Sequence, residues 1–315
     1  MQSYYSNGKL LLTAEYVVLD GATALALPTR FGQALEVLPR NDNRILWKSR
    51  DEHGKVWFEE EFRISEEKLE PMLNQDPEIS ERLASILSEA HRINSEPLSG
   101  GRGYDITAEL NFSRNWGLGS SSTLINNIAQ WFEMDAYWLL KKTFGGSGYD
   151  IAAAQHDMPI LYSLEEGKPT VLTTTFDPDF KDQLFFVHLN RKQNSRESIE
   201  HYRAQSPEQL QPAIEKITGL THQILACREL EEFELLLEIH ETLISQLIKT
   251  PKVKSSRFPD YPRSIKSLGG WGGDFILATG GEAERAYFRG KGYATILGFS
   301  EMVLGPARGR QELRF

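Results

Sequence analysis

The residues that could do chemistry in this 315-residue chain fall into glycine-flanked groups between Lys9 and Asp274. The central group is Asn115-Trp-Gly-Leu-Gly-Ser-Ser-Ser-Thr-Leu124. It follows the alternating segment 104–112 and precedes the helical pattern 124–132, so a strand runs through a glycine turn into a helix. Gly117 and Gly119 allow the backbone angles and the close approach that an anion requires. Ser120, Ser121, Ser122 and Thr123 set hydroxyls and free N–H groups at the helix start. That is a site for a phosphate, from which a hydroxyl can also reach magnesium. The same residues also read as a plain glycine turn with a serine cap.

Further groups lie on either side. Lys9 directly follows Gly8 at the mouth of a short strand, Leu10–Leu12, and Glu15 stands beyond its end. A lone lysine there also reads as a solvent-facing strand residue. Segment 144–154 is a second glycine-rich turn, with Asp150 opening a helix of small residues as either a reactive carboxylate or a first-turn acid. Segment 265–279 runs a third glycine-rich loop into a strand, again a place where backbone can close round a ligand. Asn190-Arg-Lys-Gln-Asn-Ser-Arg196 is a basic loop that suits an anion or simply solvent. Together the groups point to phosphoryl transfer, which needs charge neutralisation, magnesium and an oriented acceptor hydroxyl. No Walker sequence or protein-kinase signature accompanies them. Gly145-Gly-Ser-Gly-Tyr149 has a tyrosine where a serine elbow needs its second glycine.

The elements that must position these groups are mixed. Ala22–Leu27 and Gln33–Leu38 read as strands, and Ile45–Lys48 with Lys55–Phe58 as a hairpin pair, which favours a mixed or antiparallel sheet over a βαβ series. Glu66–Leu73 reads as a short helix and Pro77–Ile93 as a longer one with apolar residues at helical spacing. Leu124–Leu140 reads as one helix or two, with a join near Phe132–Asp135. Strands are expected at Lys168–Thr175 and Gln183–Leu189, and a mainly helical stretch at 198–248. In that stretch Leu235, Leu236, Ile239, Leu243 and Leu247 form the expected buried stripe, and His240 reads as structural. Helix at Glu282–Arg289 and strand at Tyr293–Phe299 complete an α+β chain.

The length suits two domains, and the net charge of −9 argues against a general nucleic-acid or anionic-membrane surface while leaving room for a local basic pocket. Cys227 is the only cysteine, so no intrachain disulfide or cysteine-rich zinc site is possible. The absence of a membrane-length apolar run, and a start without a signal core, make a cytoplasmic setting the expectation. A small-molecule partner is expected, with the chain a monomer or homodimer.

Three of these motifs, in order, resemble those of the GHMP small-molecule kinases, the superfamily of galactokinase, homoserine kinase, mevalonate kinase and phosphomevalonate kinase. They are Gly8-Lys-Leu-Leu-Leu-Thr-Ala-Glu-Tyr16, Gly117-Leu-Gly-Ser-Ser-Ser122 and Lys266-Ser-Leu-Gly-Gly-Trp-Gly-Gly273, and Gly146-Ser-Gly-Tyr-Asp150 is similar to the segment that carries the catalytic aspartate. The resemblance implies a ribosomal-protein-S5-like N-terminal domain, 1–175, for ATP and catalysis, and a ferredoxin-like C-terminal domain, 176–315, that completes the acceptor site. It implies that Asp150 orients or accepts the acceptor proton beside Lys9. It also implies that Gly117, Leu118, Gly119, Ser120, Ser121 and Ser122 wrap ATP, with Ser120 or Ser121 near magnesium. Acceptor contacts are implied for Glu15, Tyr16, Ser147, Lys192, Ser195, Arg196, Gly270 and Trp271.

The chain departs from the family pattern at Ala14 and Ser113, where glycine and proline are usual, and at Trp271 and Asp274, where small residues are usual. Leu139 stands where mevalonate kinases carry a magnesium-binding glutamate, a loss shared with phosphomevalonate kinases and diphosphomevalonate decarboxylases. The resemblance therefore implies a kinase acting on phosphomevalonate or mevalonate, with the decarboxylase, a kinase of another metabolite and a non-catalytic ligand-binding relative as alternatives.

Overall fold

Two long strands carry the early chain. β1 (Gln2–Leu11) and β2 (Ala24–Arg40) replace the shorter strands expected at Leu10–Leu12, Ala22–Leu27 and Gln33–Leu38. Gly32 lies within β2, where a neighbouring strand passes close against it: a Cβ there would stand 2.3 Å from the carbonyl oxygen of Ser6. The structure is a computed structural model that describes residues 1–65, 68–191, 199–200, 202–204 and 210–305. The chain divides into two units, each assembled from two segments.

The first unit comprises 1–9 and 31–155. Its strands run in the order β5 (Leu69–Pro71), β4 (Val56–Ile64), β3 (Arg44–Arg50), β6 (Gly103–Leu110) and β2. The β3–β4 hairpin is antiparallel as expected, β6 runs antiparallel to β2 with Gln33 opposite Leu110, and β3 is parallel to β6. Of the helix expected at Glu66–Leu73, residues 66 and 67 lie outside the described residues and Leu69–Pro71 is strand. Proline disfavours helix there, and the buried Glu60 carboxylate accepts the following N–H groups of Leu73 (2.7 Å) and Asn74 (2.9 Å). Helix α1 (Pro77–Ile93) is capped by Asp76, has Pro77 in its first turn, and buries Leu83, Ile86, Leu87 and Ala90. The stretch after the central glycines is two helices, α2 (Ser120–Trp131) and α3 (Ala136–Thr143). They part at Glu133, whose φ of 49° no helix accommodates, and Asp135 caps the second. Their apolar faces join Leu35, Trp47, Phe62 and Ile106 in one core, reached also by Ile151 of α4 (Tyr149–Ala154).

The second unit comprises 10–30 and the chain from 156 onward. The hairpin β7 (Ile160–Glu165) and β8 (Lys168–Thr173) pairs through β7 with Ala24–Ala26. A separate antiparallel sheet has the order β10 (Ile265–Ser267), β11 (Phe275–Thr279), β9 (Leu184–His188) and β12 (Ile296–Gly298). Phe185, Val187, Ile276 and Ala278 form its core with Phe258 and with Phe288 of helix α8 (Glu282–Gly290). The helices before α8 are α5 (Leu210–Ala226), α6 (Leu230–Leu247) and α7 (Val253–Arg257), and α9 (Phe299–Met302) follows β12.

In α6 the expected stripe is displaced. Leu235 and Ile239 are exposed, whereas Phe233, Leu236, Leu237, His240, Glu241, Ile244 and Leu247 face inward. Leu236 and Leu247 of the expected stripe are buried, but two polar residues also hold central places on that face, so a stripe drawn through apolar residues alone follows only part of it.

Gly219 lies within α5 on an exposed turn, has an ordinary helical φ, and a Cβ there meets nothing within 4 Å. Gly219→Ala is expected to raise the unfolding free energy by about 0.5–1 kcal/mol in urea denaturation, because alanine loses less backbone entropy on folding.

Candidate active site

The central glycine turn forms as its sequence requires. Gly117 and Gly119 have φ of 67° and 90°, and Gly119 is the residue from which α2 starts. A Cβ on Gly119 would lie 2.7 Å from Ser122 Oγ and 3.3 Å from Lys9 Cγ and Cε, so only glycine lets the lysine pass so close. Lys9 is tied to this turn twice: its backbone N–H donates to the Leu118 carbonyl (2.9 Å) and its ammonium to the Gly117 carbonyl (3.1 Å). Leu118 turns its side chain into the core and contributes backbone to the turn. Ser121 is exposed and Ser120 half-buried at the helix start, whereas Ser122 is buried and donates to the Gly119 carbonyl (2.9 Å).

Asp150 joins this constellation from the second glycine turn. Gly148, with φ of 88°, precedes α4 and places Asp150 in its first turn. Burial pushes the Asp150 carboxyl above its ordinary value; the Lys9 ammonium, the N–H groups of Ile151 and Asp150, and the Ser122 hydroxyl oppose that rise. The Lys9 ammonium also stands 5.7 Å from the Tyr149 ring centroid. Ser147 is buried in the same turn. Lysine, carboxylate, glycine turn and helix N-terminus are thus brought together within the first unit.

The fit to a nucleotide and its metal rests on that turn. Two positive-φ glycines leave backbone open beside a helix N-terminus, and Ser120 and Ser121 set hydroxyls there. Among the described residues no group of three or more His, Cys, Asp or Glu side chains is placed to hold a metal.

A second polar cluster lies in the other unit. Lys266 at the root of the third glycine loop is fully buried. Its ammonium donates to Glu15 Oε1 and to the Ser267 carbonyl (2.7 Å), and stands 3.2 Å from Glu241 Oε1. Ser267 Oγ donates to Glu241 Oε2 (3.0 Å). His240 Nε2 accepts the N–H of Ala14 (3.0 Å), so it carries its proton on Nδ1; burial, and then Lys266, keep the ring neutral. One buried cation faces two buried carboxylates. Burial pushes Glu15 up to about 7, with Lys266 opposing and Glu241 assisting; burial likewise raises Glu241. Glu15 Oε2 has no hydrogen-bond partner among the described residues, so a proton there displaces nothing.

The remaining expected contacts are dispersed. Tyr16 takes a φ of 67° and stacks on Tyr202 with centroids 5.7 Å apart. Gly270 and Trp271 are buried in the third loop, and the Trp271 indole N–H donates to the Pro251 carbonyl (3.0 Å). Lys192, Ser195 and Arg196 lie outside the described residues. Sequence reading missed the partnership of Lys266 with His240 and Glu241. The available signal was a charged residue on the inward side of α6 at helical spacing from Leu237 and Ile244.

No protein-family model and no curated protein matches the chain. Solved structures do. The mevalonate kinase of Methanococcus jannaschii aligns with 97% of this chain and 98% of its own at 14% identity, with a TM-score of 0.67. The phosphomevalonate kinase of Streptococcus pneumoniae, in complex with phosphomevalonate and AMPPNP, covers 94% of this chain and 99% of its own at 15% identity and 0.67. The galactokinase of Lactococcus lactis, complexed with galactose, covers 97% and 94% at 13% identity and 0.67. The chain therefore has the α+β fold of the GHMP kinases along nearly its full length. No helix among the described residues is long and apolar enough to cross a membrane.

The Glu15 shift has a pH signature. A carboxyl raised in the folded chain gives stability that is fully present below its ordinary value of 4.5 and is lost as pH rises to about 7. Relative to Glu15→Gln, the wild type is expected to lose up to about 3 kcal/mol of unfolding free energy across that window. Urea denaturation at a series of pH values measures this, and a difference that stays flat with pH would show that Glu15 does not titrate there.

Proposed function

We propose that the chain is an ATP- and magnesium-dependent kinase of a small hydroxylated metabolite, acting on phosphomevalonate or mevalonate in isoprenoid precursor synthesis. The observation that carries this reading is the convergence of Lys9, Asp150 and the Gly117–Gly119 turn at the start of α2. ATP supplies the transferable phosphoryl group. The Gly117–Gly119 backbone and the α2 N-terminus take its phosphates, and Ser120 and Ser121 are the hydroxyls that would reach magnesium.

Asp150 accepts the acceptor's hydroxyl proton as the new oxygen–phosphorus bond forms and the bridging bond to ADP breaks. Its raised pKa brings the carboxylate nearer the basicity that proton transfer requires, while Lys9 opposes that rise and steadies negative charge on the reacting oxygens. Glu15, Tyr16, Ser147, Gly270 and Trp271 are assigned to the acceptor side, as are Lys192, Ser195 and Arg196. Glu15 acts there through Lys266, since its carboxylate is buried on that ammonium. Leu139, at the place of the mevalonate-kinase glutamate, is fully buried in apolar surroundings, which favours phosphomevalonate over mevalonate.

Magnesium-dependent ATP turnover with mevalonate, phosphomevalonate, homoserine and sugars tests the reading. Binding without turnover of any acceptor would indicate a non-catalytic relative, and release of carbon dioxide a decarboxylase. Asp150→Asn is expected to lower turnover by ~100-fold or more, the scale of losing a proton-transfer group; an unchanged rate in a folded variant would remove the assigned role. Lys9→Met is expected to reduce turnover at least tenfold while shifting the urea midpoint little, because the residue is only half-buried. A large midpoint shift with normal turnover would make it a structural lysine.

A further inference from the structure

The third glycine loop borders a cavity of about 260 Å³ in the second unit, with Arg191, Thr250, Ser256, Arg257, Trp271 and Gly272 among its lining residues. Two of the side chains lining it are guanidinium groups, and none of its described lining residues carries a carboxylate. That is a local reversal of charge in a chain of net charge −9. Arg257 ends α7, and the next residue, Phe258, is fixed in the core, so the arginine's backbone has little freedom. Its Nη1 is buried and has no hydrogen-bond partner among the described residues. A buried charged donor left without an acceptor is costly, and an anion in the cavity would supply one.

The surrounding residues are held in place. The Arg191 carbonyl accepts the N–H of Asp274 (2.7 Å), and the Leu189 N–H donates to the Asp274 carbonyl (2.8 Å), so the glycine loop pins the base of that arginine. The Trp271 indole N–H is committed to Pro251 (3.0 Å), which sets the ring as a fixed wall. Ser256 and Thr250 donate their hydroxyl hydrogens to backbone carbonyls of Lys252 and Ile248, so among the lining side chains the arginines are the donors open to a ligand. Gly272, with φ of 87° and open space where a Cβ would sit, leaves room beside them.

We propose that this cavity is an anion subsite in which Arg257, assisted by Arg191, holds a phosphate or carboxylate against the Trp271 wall. The ligand class is a small phosphorylated or carboxylated metabolite, recognised through that acid group. Guanidinium suits this task because it stays charged and offers paired donors to planar or tetrahedral oxyanions.

The test uses the full chain titrated with inorganic phosphate and, separately, acetate, at ionic strength matched with chloride. The readout is the NMR resonance of the Trp271 indole N–H, assigned by its loss in Trp271→Phe. A saturable shift is expected, and Arg257→Gln should weaken it about tenfold or more. Arg191→Gln, which changes an exposed side chain and leaves folding intact, should weaken it a few-fold. Tighter binding of phosphate or of acetate identifies which acid the subsite prefers. No saturable shift with either anion, or unchanged affinity in the arginine variants, overturns the proposal. Anion binding in a chain that turns over no acceptor would leave the subsite standing and remove the kinase reading; turnover without anion binding would do the reverse.

Discussion

A lysine ammonium taken wholly out of water is tolerable only if other groups replace its hydration, and Lys266 is such a group. The replacements come from separate parts of the sequence: Glu15 after the first strand, Glu241 on α6, and the Ser267 carbonyl in β10. Each is fixed by what it gives to the lysine. Glu15 is further constrained because the residues around it, Ala14 and Tyr16, both sit at positive φ, and the Ala14 N–H reaches His240. Removing the ammonium would leave two carboxylates facing each other in a dry interior. The start of the chain, a long helix and the root of the third glycine loop thus share one electrostatic constraint.

The other lysine of the motifs has the opposite environment. Lys9 is half-buried, donates through its ammonium to the Gly117 carbonyl, and lies beside a carboxylate that burial has made more basic. One residue type therefore serves two ends. Lys266 is surrounded by buried acceptors and organises structure, while Lys9 lies partly open to solvent beside the glycine turn. The difference lies in solvent access, which sets how far other groups must replace each ammonium's hydration.

Much of this was legible in the sequence where local rules decide. Asp76-Pro77 starts α1, the strand–glycine–helix pattern gives the turn at Gly117–Gly119, and the motif order points to the fold. Where partners distant in sequence decide, local rules gave other answers. Leu69–Pro71 looks helical until it pairs with Phe62–Ile64. Glu241 falls outside the expected stripe of α6 because periodicity weighs hydropathy and takes no account of Lys266, 25 residues further along the chain. Polar residues on a buried face are legible only as a set, and the set is assembled by the fold.

The third glycine loop shows how such a set can hold backbone that its own sequence disfavours. Trp271 and Asp274 both have positive φ, 41° and 50°, in a region where a side chain costs of order 1–3 kcal/mol. The conformation is foreign to a tryptophan, while an aspartate tolerates it better. Trp271 is held by its indole bond to Pro251 and by burial, and Asp274 by a backbone exchange in which it donates to Arg191 and accepts from Leu189. The tryptophan ring is thereby committed to Pro251 and to the cavity wall. The strained residues are also the ones that set Arg191 and the aromatic wall beside Arg257, so the strain resides where backbone position controls the placement of positive charge.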